Sequence, residues 1–386
     1  MTEIEKTPDL ISGDDIGSNI LDHTIVADSF INVSASDPTA ANDTGQGYVV
    51  GSLWVNSTSG DVFQAIGVDA ENASWANQEG DDVNISPAWQ GLSYAYEVGG
   101  GNVPGYGDEM SRWSITAPYA AADIGTLPHT MSQAGTAVKG STIFLSGGYS
   151  GPLSSTIDEI STYPAAASAS TTDIGEATNE QRNHGSGWTT TRGYCLSGQD
   201  DSSPAIDTIQ DYSLSSPLST SDVAESAAAK QYPASCDSET HTFITGGWSP
   251  GPSAVDNIYM YEKATTDNST DVGEVTMGNK YGSMGNSDNV NGYGFISGGG
   301  SPEVDSISRF AFASPAPSTD VGEHASPFVA YGGSRGMSSP TYGHTVSRTT
   351  SPTNEVKERF PFSSPTSGTD IGEVGQAPDN VSCACV

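Results

Sequence analysis

The stretch Asp320-Val321-Gly322-Glu323 decides the fold, because close copies of it return along the chain at a nearly constant spacing. The copies begin at aspartates that are 49 or 50 residues apart, namely Asp123, Asp173, Asp222, Asp271, Asp320 and Asp370. A period of this size is the signature of a repeat architecture, in which each copy is one unit that packs on its neighbours. The sequence therefore predicts an array of six similar units rather than one catalytic domain.

Other residues keep the same period. An aromatic residue stands ten positions before each aspartate, namely Trp113, Tyr163, Tyr212, Tyr261, Phe310 and Phe360. Further upstream, most units have a short apolar run that ends in glycine, as in Ile143-Phe144-Leu145-Ser146-Gly147-Gly148. Tyr194-Cys195-Leu196-Ser197-Gly198 is the same element with one glycine lost, and Val346-Ser347-Arg348-Thr349 has neither glycine.

These units read as strands and turns. Short β-branched and aromatic runs alternate with Gly, Pro, Ser, Asp and Asn clusters, and no segment shows a sustained helical period. About fifty residues with three or four strands is the size of one propeller blade. We expect the glycine doublets to adopt backbone angles that residues with a Cβ avoid. We expect the Asp-Val-Gly-Glu stretch to form a turn in which the aspartate bonds local backbone.

The repeat resembles that of kelch proteins, in the glycine doublet after an apolar strand, the variable loop and the following aromatic strand. The resemblance covers residues 92–386 and implies that they form a six-bladed kelch-like β-propeller. The expected fold of the whole chain is all-β, with this propeller preceded by a small N-terminal β module. The chain departs from the kelch pattern at one position, because kelch units usually have a Trp near the place where this chain has Asp-Val-Gly. The first unit begins near Tyr94 and the last ends inside a further copy, so residues 378–386 are expected to pair with Tyr94 to Val98 and close the array.

The N-terminal region has its own pattern. Gly47-Tyr48-Val49-Val50-Gly51-Ser52-Leu53-Trp54-Val55-Asn56 and Gly60-Asp61-Val62-Phe63-Gln64-Ala65 predict the two arms of a hairpin with its turn at Thr58-Ser59-Gly60, against which Trp75 packs. The run resembles a small β module of tail-fibre and other virion proteins of tailed phages. The predicted domains are an attachment arm over residues 1–36, this module over 37–85 and the propeller over 92–386.

Charge and composition exclude several functions. The net charge is −34 with only 13 Lys and Arg residues, which argues against nucleic acid and against adhesion to an anionic membrane. No long apolar run predicts membrane insertion, and the start of the chain lacks the features of a signal peptide. The four cysteines are expected to be free thiols, since their spacing suits neither a disulfide nor zinc.

We find no catalytic constellation, and we predict no enzyme activity, no cofactor and no metal. The repeated acidic pairs, such as Asp173 with Glu176, are interpreted as structural because they follow the repeat. The loop after the glycine doublet varies in length, and variable loops of repeat proteins often form the binding face. Candidate binding residues in this loop are Tyr149, Trp248 and Asp200, of which the aromatic pair suits stacking on sugar rings. Packing against a neighbouring loop is the simpler explanation.

The sequence favours a virion structural protein of a tailed phage, located on the particle. We expect residues 1–90 to contact other virion proteins while the propeller meets a host-surface glycan or receptor. Two other functions stay open, namely a polysaccharide-degrading propeller enzyme and a cellular kelch-type interaction scaffold.

Overall fold

The computed structural model describes residues 31–77 and 94–385 with gaps in both ranges. The gaps are 41, 43–46, 58–61, 70–71, 103–104, 118, 120, 128–129, 152–153, 166–170, 216–217, 251–253, 277–280, 301–302, 329–334, 349–354 and 373–381. Two compact units divide the chain, an N-terminal unit at Met1–Ile85 and a C-terminal unit at Ser86–Val386. The described residues form strands, turns and bends, so the prediction of an all-β protein is confirmed.

The N-terminal unit contains one four-stranded sheet in the order β1-β2-β3-β4. The strands are β1 Ile31–Ser34, β2 Leu53–Asn56, β3 Val62–Asp69 and β4 Asn72–Asn77. Strand β1 pairs parallel with β2, whereas β2, β3 and β4 are antiparallel neighbours. Residues Ile31–Ser34, which were predicted to belong to the attachment arm, are thus part of this sheet. The predicted hairpin is confirmed by β2 and β3, although its turn at 58–60 lies outside the described residues.

An aromatic cluster forms the core of this sheet. The Trp75 side chain is fully buried, and its ring lies 5.3 Å from that of Tyr48 and 5.9 Å from that of Trp54, both edge-on. The Trp54 indole N–H donates to the Ser36 carbonyl at 2.8 Å, which satisfies its one polar atom. The prediction that Trp75 packs back on the hairpin is confirmed.

The described residues of the C-terminal unit form six four-stranded sheets, which we number along the chain. Sheet 1 has the order β33-β5-β8-β9, with β5 Tyr94–Val98, β8 Glu109–Ser114, β9 Ala121–Thr126 and β33 Ser382–Cys385. Sheet 2 has β11 Gly135–Lys139, β12 Thr142–Ser146, β15 Glu159–Pro164 and β16 Thr172–Glu176. Sheet 3 has β17 Gly185–Trp188, β18 Arg192–Gly198, β19 Ile206–Ser213 and β20 Thr220–Lys230.

Sheets 4 to 6 continue in the same way, each with its strands in chain order. Sheet 4 has β21 Ala234–Asp237, β22 His241–Thr245, β23 Asn257–Glu262 and β24 Thr270–Glu274. Sheet 5 has β25 Met284–Asp288, β26 Tyr293–Ser297, β27 Val304–Ala311 and β28 Ser314–Phe328. Sheet 6 has β29 Met337–Ser338, β30 Tyr342–Arg348, β31 Glu355–Pro361 and β32 Thr369–Gly372. Short strands in the loops are β6 Gly101–Asn102, β7 Gly105–Tyr106, β10 Met131–Ser132, β13 Tyr149–Ser150 and β14 Ser155–Thr156.

The first strands of the six sheets, here called the inner strands, contact one another in cyclic order. Contacts run from β11 to β17, β21, β25 and β29, then to β33 and back to β11. Strand β33 is antiparallel to β5, with Ser382 opposite Val98 and Cys385 opposite Ala95. The predicted pairing of the C-terminus with Tyr94 to Val98 is confirmed, and it gives sheet 1 the inner strand that its own part of the chain lacks.

Side-chain hydroxyls from a neighbouring sheet bond backbone groups at the inner strands. Ser235 Oγ accepts from the Ser186 amide at 3.1 Å, and Ser287 Oγ accepts from the Asp237 amide at 2.8 Å. Ser338 Oγ accepts from the Ser287 amide at 2.9 Å, and Ser382 Oγ donates to the Ala134 carbonyl at 2.9 Å. Because buried backbone groups cost free energy when unpaired, each sheet depends on its neighbour at this edge.

The prediction that Asp-Val-Gly-Glu forms a turn is wrong. The described part of each motif lies within the last strand of its sheet, here called the outer strand, and the motif itself forms a β-bulge there. In sheet 2, Gly175 lies opposite Ile160 and Asp173 lies opposite Ser161, which leaves Ile174 as the extra residue. The aspartate bonds local backbone as expected, since Asp173 Oδ1 accepts from the Gly175 amide at 2.8 Å. Gly adopts positive φ and Asp bonds local backbone N–H groups both in bulges and in turns, so these residues alone did not distinguish a bulge from a turn.

The glycine doublets have the predicted backbone. Gly147 and Gly148 have φ of 61° and 114°, and a Cβ on Gly147 would lie 2.1 Å from the Gln181 carbonyl oxygen. In sheet 3 no residue is lost, because Ser197 takes the place of the first glycine at φ 57°. The last unit has neither glycine, and its second strand simply continues to Arg348, paired with Glu355. Three cysteines, Cys195, Cys236 and Cys383, are buried free thiols as predicted.

Candidate binding rim

The residue after each glycine doublet starts the loop between the second and third strands. Tyr149 in sheet 2 and Trp248 in sheet 4 both occupy this position and are half-buried. Because Ser197 replaces a glycine, the equivalent residue of sheet 3 is Gln199, and Asp200 lies one residue further along. Isolated bridges show the equivalence, since Gln199 pairs with Arg182 as Trp248 pairs with Gln231.

Arg182 links the loop of sheet 2 to that of sheet 3. Its guanidinium carbon lies 4.6 Å from the centroid of the Tyr149 ring, within cation–π distance. Its Nη2 lies 3.7 Å from Asp201 Oδ1. Backbone N–H to carbonyl bonds of 2.9 Å join Arg182 and Gln199 in both directions. Tyr149 is therefore covered on one side by a cation that the next sheet holds in place.

Gln231 extends this connection to sheet 4. The Gln199 amide, in the orientation that satisfies both of its ends, accepts from Arg182 Nε at 2.8 Å and donates to Gln231 Oε1. Gln231 and Trp248 exchange backbone hydrogen bonds of 2.9 and 2.8 Å. The Trp248 ring packs on Tyr281 with the centroids 4.7 Å apart. We call Tyr149, Arg182, Gln199, Gln231, Trp248 and Tyr281 the sheet 2–4 rim.

Asp200 has a structural role in its loop. Its Oδ1 accepts from the Ser202 amide at 2.7 Å, from Ser202 Oγ at 2.9 Å and from the Ser203 amide at 2.5 Å. This is the local turn chemistry typical of aspartate. Tyr149 and Trp248 belong to the rim, whereas the Asp200 carboxylate that was predicted beside them is occupied by its own turn.

Two carboxylates beside the rim, Glu180 and Asp201, have pKa values that are shifted in opposite directions. Partial burial and the nearby Asp201, Asp158 and Asp200 raise the pKa of Glu180. The hydrogen bond from Thr156 Oγ1, 2.7 Å long, lowers the pKa of Asp201, and Arg182 acts in the same direction. Among the described residues, no group of three or more His, Cys, Asp or Glu side chains is placed to hold a metal ion.

Sequence reasoning missed a buried charged cluster between the inner strands. Arg335, just before β29, donates to the Asp237 carboxylate in β21 and to the Ser186 carbonyl at 2.9 Å, and its guanidinium carbon lies 3.9 Å from the centroid of the Trp188 ring. Lys263 Nζ lies 2.9 Å from Asp237 Oδ1 and 2.7 Å from the Trp188 carbonyl oxygen. Since the Asp237 carboxylate binds both cations, the cluster fixes sheets 3, 4 and 6 to one another.

Comparison with known proteins gives this chain no family. No protein-family model matches the sequence, and no curated protein matches it significantly. In the part of the chain that the structure describes, no helix is long and apolar enough to cross a membrane. Any assignment of function must therefore come from the sheets, the rim and the charges described above.

Proposed function

We propose that the six sheets of the C-terminal unit are the blades of a closed, six-bladed, kelch-like β-propeller. Four-stranded sheets in chain order, cyclic contacts between inner strands and a first sheet completed by β33 support this arrangement. A propeller presents the loops between second and third strands on the same side as the connections from one blade to the next, and the sheet 2–4 rim consists of residues from these two kinds of loop.

The propeller is proposed to act in a tailed-phage virion protein that attaches by its N-terminal unit and binds a host-surface glycan. The observation that carries the proposal is the sheet 2–4 rim, where aromatic rings alternate with Arg and Gln side chains across three sheets. Aromatic faces pack on the apolar faces of sugar rings, and planar polar groups bond their hydroxyls. The resemblance of residues 47–75 to a tail-fibre module supplies the virion context.

Exposed apolar side chains support attachment through the N-terminal unit. Of the seven large apolar side chains that are exposed among the described residues, four belong to this much smaller unit, namely Ile31, Val33, Val49 and Val50. Concentrated exposed apolar surface is typical of protein–protein contact sites. Val33, at 61% exposure, lies in β1, within residues 1–90 that are proposed to contact other virion proteins.

Two experiments test the proposal. Mass spectrometry of purified particles should find the chain, and the variant Val33→Asn/Val50→Asn should lose its place on the particle while its C-terminal unit keeps its melting temperature. Trp248→Ala/Tyr149→Ala should reduce adsorption to host cells, whereas Asp200→Ala, which alters only a turn, should not. A chain that is absent from particles, or rim variants that adsorb normally, would refute it.

A polysaccharide-degrading enzyme is the second candidate. Glu180 and Asp201 are the carboxyl pair to test, because their pKa values are shifted in opposite directions and glycosidases use two carboxyl groups in different roles. Release of reducing ends from host polysaccharide, lost in Glu180→Gln, would establish it in place of simple binding. A cellular interaction scaffold would instead be found by mass spectrometry in cells and not in particles.

A further inference from the structure

A second repeated feature lies on the other three sheets of the C-terminal unit. In each sheet, the start of the second strand is close to the residue that precedes the repeat aromatic of the third strand. In sheets 5, 6 and 1 these residues are Tyr293 with Arg309, Tyr342 with Arg359, and Tyr94 with Arg112. The guanidinium carbons lie 4.5, 4.2 and 4.5 Å from the respective ring centroids. We call these six residues the Arg–Tyr arc.

The arc is confined to sheets that are consecutive in the cyclic order. The equivalent pairs of sheets 2, 3 and 4 are Thr142 with Thr162, Arg192 with Asp211, and His241 with Met260. In sheet 3 the arginine makes an ion pair with Asp211 Oδ1 instead of a stacked pair. The rim therefore lies on sheets 2 to 4 and the arc lies on sheets 5, 6 and 1, so the two features occupy different sheets.

Two arginines of the arc have no polar partner among the residues that the structure describes. Arg309 and Arg359 neither donate a side-chain hydrogen bond nor form an ion pair within the described part of the chain, whereas Arg112 donates to the Ala165 carbonyl at 2.9 Å. Arg359 also lies 4.9 Å from the ring centroid of Tyr119, which is in the loop between β8 and β9, so its guanidinium is close to two tyrosine rings. The lack of a carboxylate partner for Arg309 and Arg359 among the described residues is unexpected in a chain with 47 Asp and Glu residues.

The chemistry of the arc suits an external carboxylate. A guanidinium stacked on a ring keeps a fixed orientation while its N–H edge remains available, and that edge matches a carboxylate with two parallel hydrogen bonds. Both arginines are half-buried, so part of the cost of removing them from water is already met by folding. The site lacks only the acceptor.

We propose that the Arg–Tyr arc binds a polysaccharide that carries carboxylates on successive sugar rings. The Arg309 and Arg359 pairs each take one carboxylate, and their repetition on neighbouring sheets lets a repetitive ligand gain avidity from contacts that are individually weak. The proposal deepens the proposed function by naming an acidic glycan as a ligand, at a place separate from the sheet 2–4 rim. The charge of −34 repels a polyanion at long range, but at about 0.15 M salt the Debye length of about 8 Å confines that repulsion.

The test uses the full chain and immobilised polygalacturonate, with fully methyl-esterified polygalacturonate as the neutral counterpart, at about 0.15 M salt. We expect binding to the acidic form alone. Arg309→Gln/Arg359→Gln should weaken it at least about tenfold, the effect of losing two charge-assisted hydrogen-bonded contacts. Arg309→Lys/Arg359→Lys, which keeps the charge and the packing volume, should bind with an intermediate affinity because it lacks the planar fork.

Arg192→Gln is the control, because it removes a cation from the corresponding pair of sheet 3, where Asp211 already binds that cation. It should bind polygalacturonate as the unmodified chain does. Equal retention of the esterified form, no binding by the unmodified chain, or full binding by Arg309→Gln/Arg359→Gln with an unchanged melting temperature would overturn the proposal. Binding by the purified chain is independent of particle mass spectrometry and host adsorption, so the proposed function can fail while the arc is upheld, and the reverse.

Discussion

The inner and outer strands of the C-terminal unit solve the same problem in different ways. Both lie at a sheet edge, where backbone groups are left without a strand partner. At the inner edge the neighbouring sheet supplies hydroxyls, as Ser235 does for the Ser186 amide. At the outer edge the strand supplies its own acceptor, as Asp173 does for the Gly175 amide, and the aspartate remains exposed to solvent.

This difference explains which part of the repeat is visible in the sequence. The hydrogen bond at the outer edge joins residues two positions apart, so it appears as a motif of consecutive residues in almost every unit. The inner device acts between sheets, so its members are scattered serines and threonines that are about one period apart. We therefore expect inner substitutions to destabilise several sheets at once and outer substitutions to affect solubility more than stability.

The largest single-residue effect is expected at Asp237. Asp237→Asn leaves the buried Arg335 and Lys263 without a counter-charge, which should lower the free energy of unfolding by about 3–5 kcal/mol. Urea denaturation measures the loss. Asp211→Asn breaks a half-exposed ion pair with Arg192 and should cost about 1 kcal/mol or less. Equal losses for the two variants would show that the inner cluster has no special weight.

A position between the two edges should control acid stability. His344 stands where the other sheets have Tyr96, Phe144, Tyr194, Phe243 and Phe295. Burial, with Arg359 nearby, lowers the His344 pKa from its ordinary value of 6.5 to about 4. Because the unfolded chain then binds the proton more tightly, stability is present above the ordinary pKa and is lost as the pH falls toward 4.

His344→Phe should remove this loss. The stability advantage of the variant should grow by about 1.4 kcal/mol for each pH unit between 6.5 and 4. Thermal unfolding measured across this range checks it, with His241→Phe, at a less buried histidine, as the control. Parallel pH profiles for His344→Phe and the unmodified chain would contradict the assignment.

A smaller effect is expected from an inner hydroxyl. Ser235→Ala removes the acceptor of the buried Ser186 amide and should cost about 1–3 kcal/mol. Hydrogen exchange at the Ser186 amide should rise with it, because that group loses its only side-chain acceptor. Ser235→Thr keeps the hydroxyl and serves as the control. An unchanged exchange rate in Ser235→Ala would mean that the inner edge does not depend on its neighbour.

The smallest effect on stability is expected at the outer edge. Asp173→Ala removes an exposed acceptor that water can replace, so the free energy of unfolding should fall by about 0.5 kcal/mol. Combined with Asp123→Ala and Asp370→Ala, it should raise self-association, because acidic side chains discourage edge-to-edge pairing. Sedimentation velocity measures this. Strong unfolding without association would contradict the proposed division between the edges.

The sequence allowed local and periodic features to be predicted, and not those that join distant residues. The 49 or 50-residue spacing indicated six units, and its phase indicated that β33 would pair with β5. The bonds of Arg335 to Asp237 could not be foreseen, since 98 residues separate them and no motif surrounds either. The sequence pointed to Asp200 instead of Gln199, because a unit with one glycine reads as a unit with a deleted residue. Ser197 at φ 57° shows that no residue is deleted, so Gln199 holds the equivalent position.

Closure by the C-terminal strand is the central claim, and hydrogen exchange in a truncated chain tests it most directly. Removal of residues 382–386 deletes β33, which pairs with β5 and whose Ser382 and Cys383 bond Ala134 and Thr136 of sheet 2. If the sheets form a closed cycle, protection should fall at all inner strands, including β21 and β25 on the far side of the cyclic order. Loss of protection confined to β5 and β11, with β21 and β25 unchanged, would contradict closure as the source of stability.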